Sequence, residues 1–183
     1  MRLHAALAAL TLTAVFWTVP ANADGAGVGQ VMLRLSFGQG VTIRPLGGAG
    51  DAGAAASPFT TELVLGVGVC DCLSIDLGLL FAYDLLQAGG GAASSRAHYT
   101  GMRPGIHFFP NPRRSRWKPY FRAAIPIVYN LALGQTQTGL LLGGGIEYRL
   151  CKLAFFAEAS VTPTFNVGNV IPIEARFGAA LHF

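Results

Sequence analysis

The sequence predicts an all-β fold, an eight-stranded antiparallel up-and-down transmembrane β-barrel, and three observations carry that expectation. Apolar residues recur at every second position in segments of about ten residues, the length a tilted membrane strand needs. Charged residues within those segments fall on the face opposite the apolar one. The composition is also high in apolar residues for a soluble domain, 52% hydrophobic against 12% charged, with Lys118 and Lys152 the only lysines.

Residues 1–23 stand apart from this pattern. Arg2 precedes an apolar run from Ala5 to Val19, followed by Pro20 and the small-residue ending Ala21-Asn22-Ala23. That is the form of a secretory signal peptide cleaved before Asp24, since about fifteen apolar residues are short of the twenty or so of a spanning helix. The expected organisation is a signal peptide, 1–23, and one outer-membrane β-barrel domain, 24–183. The formal charge is +4, but the only dense basic run is Arg113 to Lys118, and an exported chain has no genome to meet. Nucleic acid is therefore not an expected partner.

The first strand is expected from Val31 to Phe37, with Val31, Leu33, Leu35 and Phe37 facing away from Met32, Arg34 and Ser36. A Gly/Ala-rich loop then runs to Thr60. The second strand, Thr61 to Cys70, opposes Leu63, Leu65, Val67 and Val69 to Glu62, Val64, Gly66 and Gly68. After the tight Cys70-Asp71-Cys72 turn comes the clearest segment. There Leu73, Ile75, Leu77, Leu79, Phe81 and Tyr83 face out, while Ser74, Asp76, Gly78 and Ala82 face in. Leu85 to Arg96 is a second Gly/Ala/Ser loop. The fourth strand, Ala97 to Phe109, alternates Met102, Ile106 and Phe108 with Gly101, Arg103, Gly105 and His107, and Pro104 on its outward face weakens it.

The turn Pro110 to Lys118 leads to the fifth strand, Pro119 to Tyr129, where Phe121, Ala123, Ile125, Ile127 and Tyr129 oppose Tyr120, Arg122, Ala124 and Val128. Asn130 to Thr138 reads as a loop. The sixth strand, Gly139 to Leu150, sets Leu140, Leu142, Ile146 and Tyr148 against Gly143, Gly145, Glu147 and Arg149. A tight Leu150-Cys151-Lys152 turn opens the seventh, with Leu153, Phe155, Ala157, Ala159 and Val161 opposite Phe156, Glu158, Ser160 and Thr162. The last strand, Ile171 to Phe183, places Ile173, Ala175, Phe177, Ala179, Leu181 and Phe183 away from Glu174, Arg176, Gly178 and His182.

An even strand count returns both termini to one side. The short turns, the termini and the Pro110–Lys118 link are expected in the periplasm, and the longer loops after Phe37, Tyr83, Tyr129 and Val161 outside the cell. Arg34, Arg103, Arg122, Arg149 and Arg176 share inward parity with Glu62, Asp76, Glu147, Glu158 and Glu174, so equal numbers of each sign would line one lumen. Buried charges demand partners. The expected neighbours are Glu174 and Arg176 with Arg34 across the closing seam, Arg149 with Glu158, and Glu147 with Arg122. An interior so filled, with Tyr120 and Phe156 added, is no open channel, because eight strands enclose little more than room for side chains. Outward aromatics collect near strand ends, Phe37, Phe81, Tyr83 and Tyr129 at one rim and Phe108, Phe121, Tyr148, Phe155 and Phe183 at the other, where lipid interfaces favour them. A soluble barrel or sandwich would turn its apolar face inward instead.

The ending Phe177-Gly178-Ala179-Ala180-Leu181-His182-Phe183 resembles the terminal strand signal of bacterial outer-membrane β-barrel proteins, and the whole arrangement resembles their small eight-stranded group, including the OmpA-type transmembrane domain, within the porin-like superfamily. The resemblance implies outer-membrane lipid and the barrel-assembly machinery as partners, the latter through Phe177, Ala179, Leu181 and Phe183. No peptidoglycan-anchoring role is expected of it, and a monomer is.

Cys70, Cys72 and Cys151 all fall at expected periplasmic turns, where an oxidising compartment permits a disulfide. Cys70 with Cys72 would close a very tight ring, while either with Cys151 would tie opposite sides of the rim. His107 and His182 face inward near the same end, but a closed zinc site needs four convergent ligands, and no metal is expected. A lipid hydrolase would need a nucleophile, a histidine base and an acid together on the lipid-facing surface. His98, with Ser94, Ser95, Tyr99 and Asp84 nearby in sequence, reads instead as loop and interface. Gly89-Gly90-Gly91 and Gly143-Gly144-Gly145 lack the Lys-Ser/Thr partner of a phosphate loop, and the latter run gives room for bulky lumenal neighbours. No catalytic residue and no cofactor is expected. The functional expectation is a non-enzymatic envelope protein with a structural or interaction role. The alternative is narrow-channel or lateral-gate transport through a gap beside Pro104, Pro126 or Pro172, or, behind it, a lipid-modifying enzyme.

Overall fold

Alternating segments become strands, and strands in register become a wall whose two faces differ in chemistry. The computed structural model describes residues 27–44, 53–83, 99–110, 115–131, 134–165 and 170–183. The expected signal peptide and the whole Leu85–Arg96 loop lie outside them. The strands are β1 (Val31–Arg44), β2 (Gly53–Ala56), β3 (Phe59–Cys70), β4 (Leu73–Tyr83), β5 (Tyr99–Phe108), β6 (Trp117–Ala124), β7 (Ile127–Asn130), β8 (Gln135–Thr138), β9 (Leu141–Leu150), β10 (Leu153–Val161) and β11 (Ile171–His182).

All pairings are antiparallel, and the ring runs β1-β3-β4-β5-β6-β9-β10-β11 and back to β1. This is a closed eight-stranded barrel, in which β7 continues β6, β8 precedes β9 on the same staves, and β2 folds back on the end of β1. The tight turns at Asp71–Cys72 and Cys151–Lys152 share one end with residues 27–31 and Phe183, since Gly29 N donates to Gly68 O and Val31 exchanges hydrogen bonds with Phe183. We call this the terminal end and the opposite one the loop end.

The burial pattern is inverted relative to a soluble barrel. Leu65, Ile75, Leu77, Phe121, Phe155 and Phe177 stand 52%, 57%, 46%, 61%, 51% and 64% exposed, whereas Arg34, Glu62, His107 and Glu147 are at most 1% exposed. Only a hydrocarbon surround makes that arrangement favourable, because it removes apolar area from water while the charges satisfy one another inside.

Several strand boundaries differ from the expected ones, by one or two residues at Phe59, Phe108 and Leu141 and by more elsewhere. Gly38-Gln39-Gly40 reads as the start of a loop, yet β1 continues through it to Arg44, because its edge pairs with β11 as far as Ile43↔Ile171 and with β2 from Val41. The Asn130–Thr138 stretch carries a hairpin rather than a plain loop: β7 pairs β8 from Ile127↔Thr138 to Asn130↔Gln135, and Gly134, at φ 65°, closes back onto Asn130 O. The fifth strand starts two residues earlier than expected, at Trp117, which brings Lys118 into the wall.

The prolines interrupt the sheet without opening it. At Ile125-Pro126 the chain leaves strand geometry between β6 and β7, but Ile125 N donates to Pro104 O at 2.9 Å and Gly139 N to Pro126 O at 3.3 Å. Thr162 N reaches Pro172 O at 2.9 Å, and Leu140 N reaches Pro163 O at 3.1 Å. Each proline lacks a donor, and its carbonyl carries the seam instead. Among the described residues no gap stands beside Pro104, Pro126 or Pro172.

Candidate functional site: the filled lumen

The inward face of the wall is built from residues of one parity on every strand, and their volumes decide what the lumen holds. At mid-height Glu62 of β3 is the hub. Arg122 of β6 grips it with both terminal nitrogens, at 3.0 and 2.7 Å, and Arg103 of β5 and Arg176 of β11 approach at 3.5 and 3.4 Å. Arg122 also lies 3.5 Å from Asp76 and 3.6 Å from Glu158, and Arg176 lies 3.2 Å from Glu158 and contacts Glu174. Glycine makes this possible at Gly78, where a Cβ would run into the Glu62 carboxylate.

Toward the terminal end a second cluster closes the barrel. Arg34 donates to Nε2 of His107 at 2.5 Å and to the Tyr120 hydroxyl at 2.9 Å, and Tyr120 donates to Glu158 at 3.0 Å. The other imidazole nitrogen, Nδ1, meets Asp76 at 2.8 Å. These partners assign the proton to Nδ1 and a lone pair to Nε2. The guanidinium of Arg34 lies between two rings, 3.8 Å from the Phe156 centroid and 4.6 Å from that of Tyr120. Phe109, just beyond β5, turns inward and packs on Tyr120 at 5.8 Å and under Arg149 at 5.3 Å. Glu147 lies 2.5 Å from Arg149, 3.0 Å from His182 and 3.8 Å from Arg34. Gly145 admits the Tyr120 ring; a Cβ there would stand 2.6 Å from its hydroxyl.

All ten residues of the expected charge network line this interior, with partners different from the expected ones. Arg34 is opposite Ala180 on β11, level with neither Glu174 nor Arg176, and turns to Glu147, His107 and Tyr120 instead. Arg149 is opposite Ala154, and Glu158 is opposite Gly145, four residues along the strand, so Arg149 takes Glu147 on its own strand. Arg122 is opposite Gly143 and goes to Glu62, while Glu147 is opposite Lys118. Register sets these partners. Lys118, 2% exposed, and Phe109, 1% exposed, are lumenal residues missed in the sequence. For Lys118 the signal was present, since it shares parity with Tyr120 and Arg122. For Phe109 it was present too, since it continues the parity of Arg103, Gly105 and His107 at the end of the expected fourth strand.

The lumen above the Glu62 hub is different. A cavity of about 300 Å³ occupies the loop-end half, with Arg103 and Glu174 at its floor and hydroxyl, amide and proline side chains around it.

Closed order, even strand number, apolar exterior and charged interior now stand together. The fold is that of the small bacterial outer-membrane β-barrels. Neisserial surface protein A superposes with a TM-score of 0.64 at 17% identity, over 85% of this chain and 99% of that one. The N-terminal β-barrel domain of Pseudomonas aeruginosa OprF gives 0.60 at 15%, over 86% and 99%. Ail, the attachment invasion locus protein of Yersinia pestis, gives 0.54 at 14%, over 85% and 99%. No protein-family model matches the sequence, and a comparison with curated proteins finds no relative.

In this outer-membrane barrel fold the remaining sequence-predicted residues fall as follows. Phe177 and Leu181 point outward from β11, 64% and 40% exposed, with Ala179 between them and Phe183 hydrogen-bonded to Val31 at the seam. Trp117 and Tyr148, 4.7 Å apart, add to the aromatic belt at the terminal end. The sulfurs of Cys70 and Cys72 stand 3.0 Å apart across their turn, and that contact pushes the Cys72 thiol above its ordinary value. Cys151 sits four staves away around the ring, roughly 19 Å of wall at about 4.8 Å per strand. That is half the circumference, so the two turns face each other across a diameter of at least about 12 Å, beyond the reach of about 7 Å between α-carbons that a disulfide tolerates. Asp84, Ser94, Ser95 and His98 lie outside the described residues. Among the described residues no group of three or more His, Cys, Asp or Glu side chains is arranged to hold a metal ion. In the Asp76–His107 pair the Nε2 lone pair that a general base would offer to a nucleophile is taken by Arg34.

Proposed function

We propose that the protein is a non-enzymatic component of the bacterial outer membrane, a monomeric barrel with a structural or interaction role whose lumen is blocked by its own paired charges. The single observation that carries this is the plug at the terminal end: Arg34, His107, Phe109, Tyr120 and Glu147 are each at most 1% exposed and fill the cross-section from four staves. Breaking such a buried network to pass a solute would strand charges at several kcal/mol each. The bridged seams at Pro104, Pro126 and Pro172 weigh against a lateral gate in the same way. Export by a cleaved 1–23 segment, assembly through Phe177, Ala179, Leu181 and Phe183, and contact with lipid along the outward apolar face complete the reading. The experiment is single-channel recording of the purified protein in planar bilayers. We expect a silent baseline at either polarity; a reproducible unitary conductance would overturn the blocked lumen.

A further inference from the structure

We propose that the Cys70-Asp71-Cys72 turn is a thiol–disulfide exchange site, at which the pair, once oxidised, passes its bond to the thiols of another exported chain. Strands β3 and β4 pair in step as far as Gly68↔Ser74, and the register then shifts so that Cys70 meets Leu73. A bulge of this kind adds a residue and re-aims a side chain. Here it leaves two unbonded sulfurs 3.0 Å apart across the turn. Both cysteines are only half-buried, at the tip of a hairpin beside the exposed Asp71, so a thiol in solution reaches them. The other tight turn at this end, Cys151–Lys152, carries a single cysteine and no register shift.

A structural bond is a poor account of the pair. A disulfide stabilises chiefly by restraining the unfolded chain, and does so more for a longer closed loop. This one would close three residues, and the hairpin already holds them, with β3 and β4 paired from Phe59↔Tyr83 to Cys70↔Leu73. Making and breaking the bond therefore leaves the wall as it was, which a site that cycles requires. The contact also makes the two sulfurs unequal, holding the Cys70 thiol below its ordinary value and pushing that of Cys72 above it. Cys70 is then the better leaving group, and an incoming thiolate attacks the Cys72 sulfur. The Cys70–Cys72 bond breaks as the mixed disulfide on Cys72 forms, and Cys70 departs as a thiolate that takes up a proton. A second thiolate of the partner attacks the partner's own sulfur in that mixed disulfide and releases Cys72, which is protonated in turn. Two electrons pass from the partner's thiols to the barrel, and two protons go with them. The same exchange run backwards, with a disulfide donor, reloads the site.

Full-length Cys151→Ser protein in lipid nanodiscs, oxidised with glutathione disulfide and freed of excess reagent, tests this against a reduced peptide carrying two cysteines and against glutathione. We expect one peptide disulfide formed per barrel, roughly tenfold or more faster than in the presence of the same protein with Cys70→Ser and Cys72→Ser added. Cys70→Ser on the Cys151→Ser background should accumulate glutathione as a mixed disulfide on Cys72, read by mass spectrometry of the intact chain. A bond that survives millimolar thiol overturns the proposal, as does a pair that glutathione disulfide fails to oxidise. A fall in the urea midpoint on reduction also overturns it, because it marks a bond that holds the fold. Exchange with glutathione and none with the peptide overturns the protein partner. The turn lies beyond the plug, so a conducting barrel that still exchanges disulfides overturns only the blocked lumen, and a silent barrel that exchanges none overturns only the thiol site.

Discussion

The two halves of the lumen share the same eight staves and the same alternation, yet one is solid and the other hollow. Toward the terminal end the inward positions carry Arg34, His107, Tyr120, Phe156 and Arg149, and small residues such as Gly145 let the large ones lie across the axis. Toward the loop end the same parity carries Thr60, Ala82, Pro126, Thr162 and Pro172, which are too short to meet across it. Wall geometry therefore leaves the content of a barrel open, and side-chain volume at one parity decides it. Stability should follow volume and pairing, and the contrast can be broken or sharpened in order of effect.

The largest effect is expected at the hub. Glu62→Ala leaves Arg103, Arg122 and Arg176 without their shared acceptor and should cost about 3–5 kcal/mol in urea unfolding from lipid vesicles. A cost under about 1 kcal/mol would mean the arginines re-pair freely. Phe109→Ala should follow at about 3 kcal/mol, because it empties a fully enclosed ring site beside Tyr120; the same titration reads it. Gly145→Val drives a side chain at the Tyr120 ring and should cost about 1–3 kcal/mol, visible as a lower temperature for loss of the compact gel band. In the hollow half the sign changes. Thr60→Val removes a hydroxyl that has no partner among the described residues and should be neutral or slightly stabilising, within about 0.5 kcal/mol. A large loss there would erase the difference between the halves. Last, thiol labelling of protein exported through an oxidising compartment should modify Cys151 alone before reduction and all three cysteines after it, with no measurable change in stability. Equal labelling of Cys70 and Cys72 before reduction would show that their 3.0 Å approach does not lead to a bond.

Which residues face inward was legible because a strand has period two, so one apolar run assigns every neighbour to a side. Arg34, Glu62, Asp76 and Arg176 needed nothing more. Who meets whom was not, because a shift of register moves a partner along the axis without changing parity. Arg149 and Glu158 have the right sides and lie on adjacent strands, yet four residues of offset separate them. Boundaries failed where a local signal was overruled from outside. Gly38 and Gly40 favour a turn by themselves, and pairing with β11 keeps them extended. The cavity was illegible for a related reason: nothing in the spacing of Thr60, Ala82 and Thr162 says that their side chains stop short of one another.

The seam between β1 and β11 joins Met32 to His182 and Ile43 to Ile171, residues far apart in the sequence, and the exchange between Val31 and Phe183 locks it. This has a kinetic meaning. The contacts that abolish both free edges are the most non-local in the molecule, so closure has the highest loop entropy to overcome and comes late, after the neighbouring hairpins have formed. Until then β1 and β11 are two unpaired edges, each able to template a second copy. The step that completes the barrel is thus also the step that separates folding from aggregation, and a factor that holds the β11 strand until β1 arrives would act at the point of greatest leverage.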